Sequence, residues 1–139
     1  MKVEIFTLCH YAQADPGGNL TIIGAFDHIA AIQVPVTVMP MCAVACRLRF
    51  ERIEEGRKNI TISIMDSDGQ RVLPALSPQI PVNIRQGEST VTVPIVMLIG
   101  QLKLPSFGEY QIDLAVDGRI EASIPIYVRK VEHPGHRPR

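Results

Sequence analysis

The chain has no tryptophan and only three tyrosines, which leaves too few rings for an aromatic platform that stacks sugars. Charge of one sign is missing as well. Its 14 basic and 14 acidic side chains cancel to a formal net charge of zero, and the isoelectric point is near 6.9. Without a basic excess there is no electrostatic footprint for nucleic acid or an anionic membrane. No apolar run approaches the roughly 20 residues that cross a bilayer as a helix. The opening MKVEIFTLCH carries Glu4 and lacks a long apolar segment, so it does not read as a signal peptide. The expected compartment is the cytoplasm. Cysteine is scarce and odd in number, at three. Cys42 and Cys46 lie in the alternating run CAVACRLRF. Residues four apart on a strand are about 13 Å apart, too far for one metal or a disulfide. They are expected as buried free thiols of a reducing compartment. There is no phosphate-cradling glycine loop, no zinc spacing and no nucleophile elbow.

What the chain does have is alternation. Hydrophobic residues make up 46% and charged residues 20% of the 139, a composition of folded rather than disordered chains. The length fits one domain. The stretch Phe107 to Val128, FGEYQIDLAVDGRIEASIPIYV, frames the rest. Tyr110, Ile112, Leu114 and Val116 alternate with Gln111, Asp113 and Ala115. Ile120, Ala122, Ile124, Ile126 and Val128 alternate with Glu121, Ser123, Pro125 and Tyr127. Such alternation marks strands with one buried face, and Asp117-Gly118 between them marks a hairpin. A two-residue loop would set Leu114 opposite Glu121, which mismatches the faces. A three-residue loop, Val116-Asp117-Gly118, sets Leu114 opposite Ile120 and Ile112 opposite Ala122. A turn with a glycine bulge is therefore expected. Asp113 and Asp117 fall on the outer face as solvated carboxylates. Pro125 lacks an N–H, so its amide position must face away from a neighbouring strand. Tyr110, at a strand start, is placed to act as a tyrosine corner.

Lys2–Cys9 reads as the first strand, apolar on both faces and so central or covered on both sides. HYAQADPGGN, residues 10–19, reads as a loop. Leu20–Ile29 reads as the second strand, with Gly24 as a bulge or close-packing point. Ala30–Pro40 is extended but interrupted by Pro35 and Pro40, which places it at an edge or at a crossing between strands. Its apolar residues Ile32, Val34, Val36 and Val38 form a candidate interface, because an uncovered apolar edge invites another chain. Cover by the domain's own loops is the alternative. The two-sided apolar segment Ile95–Ile99 is the second interface candidate. Strands over Met41–Glu51, Asn59–Met65, Ile80–Ile84 and Thr90–Ile99 bring the count to about eight or nine, with turns roughly every 8–12 residues. The expected fold is all-β, a single antiparallel immunoglobulin-like β-sandwich over residues 1–130, followed by a flexible tail, 131–139.

Cys9-His10 together with Asp27-His28 is the set closest to a thiol–imidazole–carboxylate site. If Lys2–Cys9 and Leu20–Ile29 pair as a hairpin, Cys9 meets Leu20, and Asp27 and His28 fall more than about 20 Å away. Adjacent Cys9 and His10 also point to opposite faces. Asp66, Asp68 and Gly69 match the start of a calcium loop, but the twelfth position is Ser77 instead of glutamate, so the segment reads as a turn. His133 and His136 are too weakly spaced for a metal, and Arg137 and Arg139 are too few for a nucleic-acid arm. No catalytic, cofactor-binding or metal-ligating residue is expected.

The segments EIFTLC, GNLTIIGAFDHI, RLRFERIEEG and LPSFGEYQIDLAVDGRIEASIPIYVR together resemble a family of small uncharacterised bacterial β-sandwich proteins, over most of the chain up to Arg129. The resemblance implies an immunoglobulin-like sandwich, no assigned activity and no functional residues to carry over. The expected role is a non-catalytic cytoplasmic binding or assembly module that engages a protein partner or another copy of itself. The alternatives are a small-ligand carrier, which needs a closed apolar pocket, and a thiol- or His-dependent hydrolase using Cys9, His10 and His28.

Overall fold

The computed structural model describes residues 1–132, so the readings on His133, His136, Arg137 and Arg139 lie outside the described residues. Eleven strands follow one another: β1 (Lys2–Ala14), β2 (Leu20–Ala25), β3 (His28–Ala31), β4 (Val36–Thr37), β5 (Cys42–Glu51), β6 (Gly56–Met65), β7 (Gln79–Val82), β8 (Thr90–Gly100), β9 (Lys103–Leu104), β10 (Gly108–Val116) and β11 (Arg119–Lys130). Among the described residues the helical content is one 3-10 turn, Arg52–Glu54. The strands form a four-stranded sheet, β2-β1-β5-β8, a five-stranded sheet, β3-β11-β10-β6-β7, and a two-stranded ribbon, β4-β9.

The chain is all-β, as its alternation implies, but the expected eight or nine antiparallel strands are eleven, and β3 runs parallel to β11. Two local causes account for the difference. Leu20–Ile29 is not one strand: it breaks at Phe26-Asp27 and passes from the four-stranded to the five-stranded sheet. Pro35 and Pro40, both preceded by cis peptide bonds, bracket the short β4, because proline cannot donate to a ladder. The apolar sides of the two larger sheets meet in one core. Cys42, Val44, Cys46, Leu48 and Phe50 of β5 face Ile60, Ile62 and Ile64 of β6, Tyr110, Ile112 and Leu114 of β10, and Ile126 and Val128 of β11. Fully burying one such aliphatic or aromatic side chain contributes about 1.5–3 kcal/mol. Val131 is also buried, and its N–H donates to Ala31 O, so ordered packing continues past residue 130.

The β10–β11 hairpin corrects the expected turn. The loop is two residues, Asp117-Gly118, with φ of 50° and 81° and Val116 opposite Arg119. The bulge lies further along: Ala115 pairs with Ile120 and Leu114 with Ala122, leaving Glu121 as the extra residue. Beyond it, Ile112 meets Ile124 and Tyr110 meets Ile126. The face mismatch read from the sequence is real, and the molecule resolves it inside the strand. The tight turn is held by β6, since Asp117 N–H donates to Asn59 O and Asn59 N–H donates to the Asp117 carboxylate. Ile120 is consequently left exposed, at 62%.

Asp113 also departs from expectation. It lies on the outer side of β10 yet is only 7% exposed, accepting from Gln111 Nε2 at 2.6 Å and Ser123 Oγ at 2.6 Å. Ser123 sits directly across the ladder from it, so the neighbouring hydroxyl replaces water. Tyr110 does form the corner: its hydroxyl accepts from Ser106 N–H at 2.9 Å and donates to Ser106 O at 2.8 Å. Tyr110→Phe leaves both backbone groups without this partner. It is expected to lower stability by about 1–2 kcal/mol, read as a shifted urea midpoint at unchanged slope.

Proline marks the open flanks. Pro94 lies in β8 and Pro81 in β7, each the last strand of its sheet. β11 pairs with β3 only from Tyr127 onward, and Pro125 lies in the stretch whose second flank is open. A strand edge that lacks a donor at its middle resists addition of another strand.

Candidate functional site

A cleft beside β1 begins with the length of that strand. The strand does not stop at Cys9 but runs to Ala14, and the turn is confined to residues 15–19, closed by Asp15 N–H to Asn19 O and Gly18 N–H to Asp15 O. Asn19 further caps the Asp15 carboxylate, by its N–H and its side-chain amide. Moving the turn moves the register, so that Cys9 lies opposite Ala25 and Tyr11 opposite Ile23. The expected separation of Cys9-His10 from Asp27-His28 by more than about 20 Å is thereby overturned. His10, Asp27 and His28 line one cleft.

That cleft has a volume of about 920 Å³. Its walls are His10, residues 24–30, residues 36–39 and Arg129. His10 stacks on Phe26 with ring centroids 4.5 Å apart, and its Nδ1 lies 3.4 Å from Met41 O. Gly24 makes this possible: at φ +66° a Cβ there would lie 2.8 Å from His10 Cδ2. The close-packing role expected of Gly24 is thus the observed one. Across the cleft, Asp27 Oδ1 lies 2.5 Å from His28 Nδ1, and His28 stacks on Tyr127 at 4.9 Å. Asp27 O accepts from Tyr127 N–H, which fixes the point where the chain enters the second sheet.

The thiols do not join these groups. Cys9 is fully buried, with its Sγ directed at Ala43 O, 3.5 Å away. Burial pushes its thiol up, against a lowering hydrogen bond from the Tyr11 backbone. Burial also pushes Cys46 up to about 12. It does the same to Cys42, to about 12, with a further contribution from Cys9. A thiol attacks as thiolate, so three buried thiols held in the neutral form are packing groups. All three are free.

The four residues of the candidate interface divide. Val38 is buried, Val34 and Val36 are half-buried against the core, and Ile32 stays exposed at 44%. Val36 pairs with Leu104, and Val38 N–H donates to Leu102 O. The chain's own β9 therefore covers Val36 and Thr37 on one side of the stretch that the sequence offers as an edge. Ile95 and Met97 of the second candidate point into the core, while Leu98 is 61% exposed.

Sequence reasoning missed the apolar surface beside Leu98. Ala25, Cys9, Ala43 and Leu98 are successive partners across β2-β1-β5-β8. Opposed residues share a face, and their neighbours Leu8, Val44 and Met97 fill the core, so this row points away from it. Cys9 and Ala43 are nonetheless fully buried in a second small cluster with Ala45, Leu20, Ile22 and Val96, beside which Leu98 stands exposed. The previous row carries Thr7, Ala45 and Val96. None of these residues is charged. At the far end of the same face Glu4 bridges Arg47 at 3.0 Å and Arg49 at 2.7 Å. The Arg49 hydrogen bond, against partial desolvation, holds the Glu4 carboxyl below its usual range. The signal was present in CAVACRLRF, whose outward positions are Ala43 and Ala45 before Arg47 and Arg49.

The chain belongs to a family of unknown function (DUF6941), whose model matches residues 4–129. This agrees with the resemblance, read from four segments reaching Arg129, to a family without an assigned activity. Comparison with curated proteins gives no match.

Proposed function

We propose that this family member is a non-catalytic assembly module whose partner is a second copy of itself. The observation that supports this reading is the uncharged part of the outer face of the four-stranded sheet, around Ala43, Ala45 and Val96, from which Leu98 projects at 61% exposure. Two such faces related by a two-fold axis meet without opposing like charges. Joining through the β8 or β7 edge is disfavoured by Pro94 and Pro81. An immunoglobulin-like sandwich goes with this proposal, supported by two facing sheets and the Tyr110 corner. A bacterial source comes from the resemblance alone, and a cytoplasmic setting from the buried free thiols.

The test is the oligomeric state. Light scattering should give a dimer, twice 15.4 kDa, and Leu98→Glu should give a folded monomer. Because Leu98 is mostly exposed, its melting should change by no more than about 0.5 kcal/mol at the monomer level. A wild-type monomer at high micromolar concentration would remove the proposal, and capture of a different protein by the same face would reassign it.

A further inference from the structure

The cleft touches consecutive residues of its strands. Residues 28–30 of β3 line one wall and residues 36–39, which include β4, line another. Successive side chains of a strand point to opposite faces. A cavity in contact with each successive residue therefore lies along the strand's edge, where the backbone groups are. The hydrogen bonds say which groups these are. Asp27 O accepts from Tyr127 N–H of β11, and Ala31 O accepts from Val131 N–H, just past the end of that strand. By the same period of two, the N–H and C=O of His28 and Ala30 point away from β11. On the other wall Val38 N–H turns to Leu102 O, so the backbone groups of Thr37 point away from β9. No backbone hydrogen bond joins β3 to β4 among the described residues. Two strand edges, neither with a proline inside the strand, thus border one cleft.

We infer that the cleft binds an extended peptide segment of a partner protein, added as a strand along the free edge of β3. Main-chain hydrogen bonds to His28 and Ala30 supply affinity, and side-chain contacts supply choice. Phe26, Ile29, Val36 and Met39 offer apolar contact. Arg129, in the cleft wall, has no ion-pair partner among the described residues. Asp27, the acidic group of the wall, is engaged by His28. The favoured segment is therefore apolar with one carboxylate, which a guanidinium receives with two parallel hydrogen bonds. This site is separate from the outer face and stands whether or not the protein dimerises.

The probe is a fluorescein-labelled heptapeptide of alternating valine and threonine with one central glutamate, read by anisotropy against the full-length protein. Saturable binding is expected, weakened about tenfold by glutamine in place of the glutamate. Arg129→Ala should erase that preference. Ala30→Pro removes an N–H from the free edge and spares the β11 ladder, so it should weaken binding at least tenfold. A peptide N-methylated at alternate residues tests the same bonds without altering the protein and should not bind. Full binding of the N-methylated peptide, or no saturation by either the glutamate or the glutamine peptide, overturns the inference. So does free glutamate competing as well as the heptapeptide, which would make this a small-ligand pocket.

Discussion

Between pH 9 and pH 12 the protein should lose stability steeply, at up to about 3 kcal/mol per pH unit from two thiols together. The folded state holds Cys42 and Cys46 up near 12, chiefly by burial, against an ordinary value of 9.0. Below pH 9 both states keep the proton and the thiols add no pH dependence. Above it the unfolded chain releases protons that the folded chain retains, so the unfolded state gains free energy with each unit. The loss runs from pH 9 and flattens only as the folded thiols themselves ionise near 12. Cys9 shifts in the same direction. Urea titrations under reducing conditions at pH 8, 9, 10 and 11 give the slope. Lysine and tyrosine also titrate in this range, so the comparison is with Cys42→Ala/Cys46→Ala. That variant should start less stable and lose far less per unit. Parallel slopes in the two proteins would mean that the thiols are not the cause.

Gly24→Ala should cost about 2–3 kcal/mol and deform the cleft. One part is the backbone: φ is +66°, where an L residue costs about 1–2 kcal/mol. The other is contact, since the new Cβ would lie 2.8 Å from His10 Cδ2. His10 must then leave Phe26, and an aromatic stack of this kind contributes about 0.5–1.5 kcal/mol. Gly18→Ala separates the two parts, because φ is +85° there but nothing lies within 4 Å of the added Cβ. It should cost only the backbone share. Equal losses in the two variants would show that His10 moves freely and that the stack contributes nothing.

Alternation made the layers legible before any coordinates. Ile60, Ile62 and Ile64, and likewise Tyr110, Ile112 and Leu114, are buried as their period demands. Local chemistry served equally well at Gly24 and Tyr110. What failed was register, which period-two patterns fix only once the turn is placed. Putting the first turn at residues 10–19 instead of 15–19 dissolved the cleft, because it carried His10 away from Phe26. Asp15-Pro16-Gly17-Gly18-Asn19 alone held enough turn chemistry to place it correctly. The same difficulty moved the bulge at Glu121, where a mismatch of faces says that an extra residue exists but not where. Asp113 was misread because burial of an outward carboxylate depends on its cross-strand neighbour Ser123, which only the ladder identifies. The cover over Val34–Val38 stayed hidden for a similar reason. Apolar content is legible in Val34–Val38, but the two residues of β9 that cover it lie far along the chain.

One feature of the topology reaches into biosynthesis. β3 has β11 as its ladder neighbour, in parallel, and that strand leaves the ribosome about 100 residues later, which takes roughly 5–20 s at ordinary elongation rates. Throughout that interval the nascent segment around His28 has no native mate. The first hairpin can close early, whereas the walls of the cleft can be set only after translation has delivered the final strand.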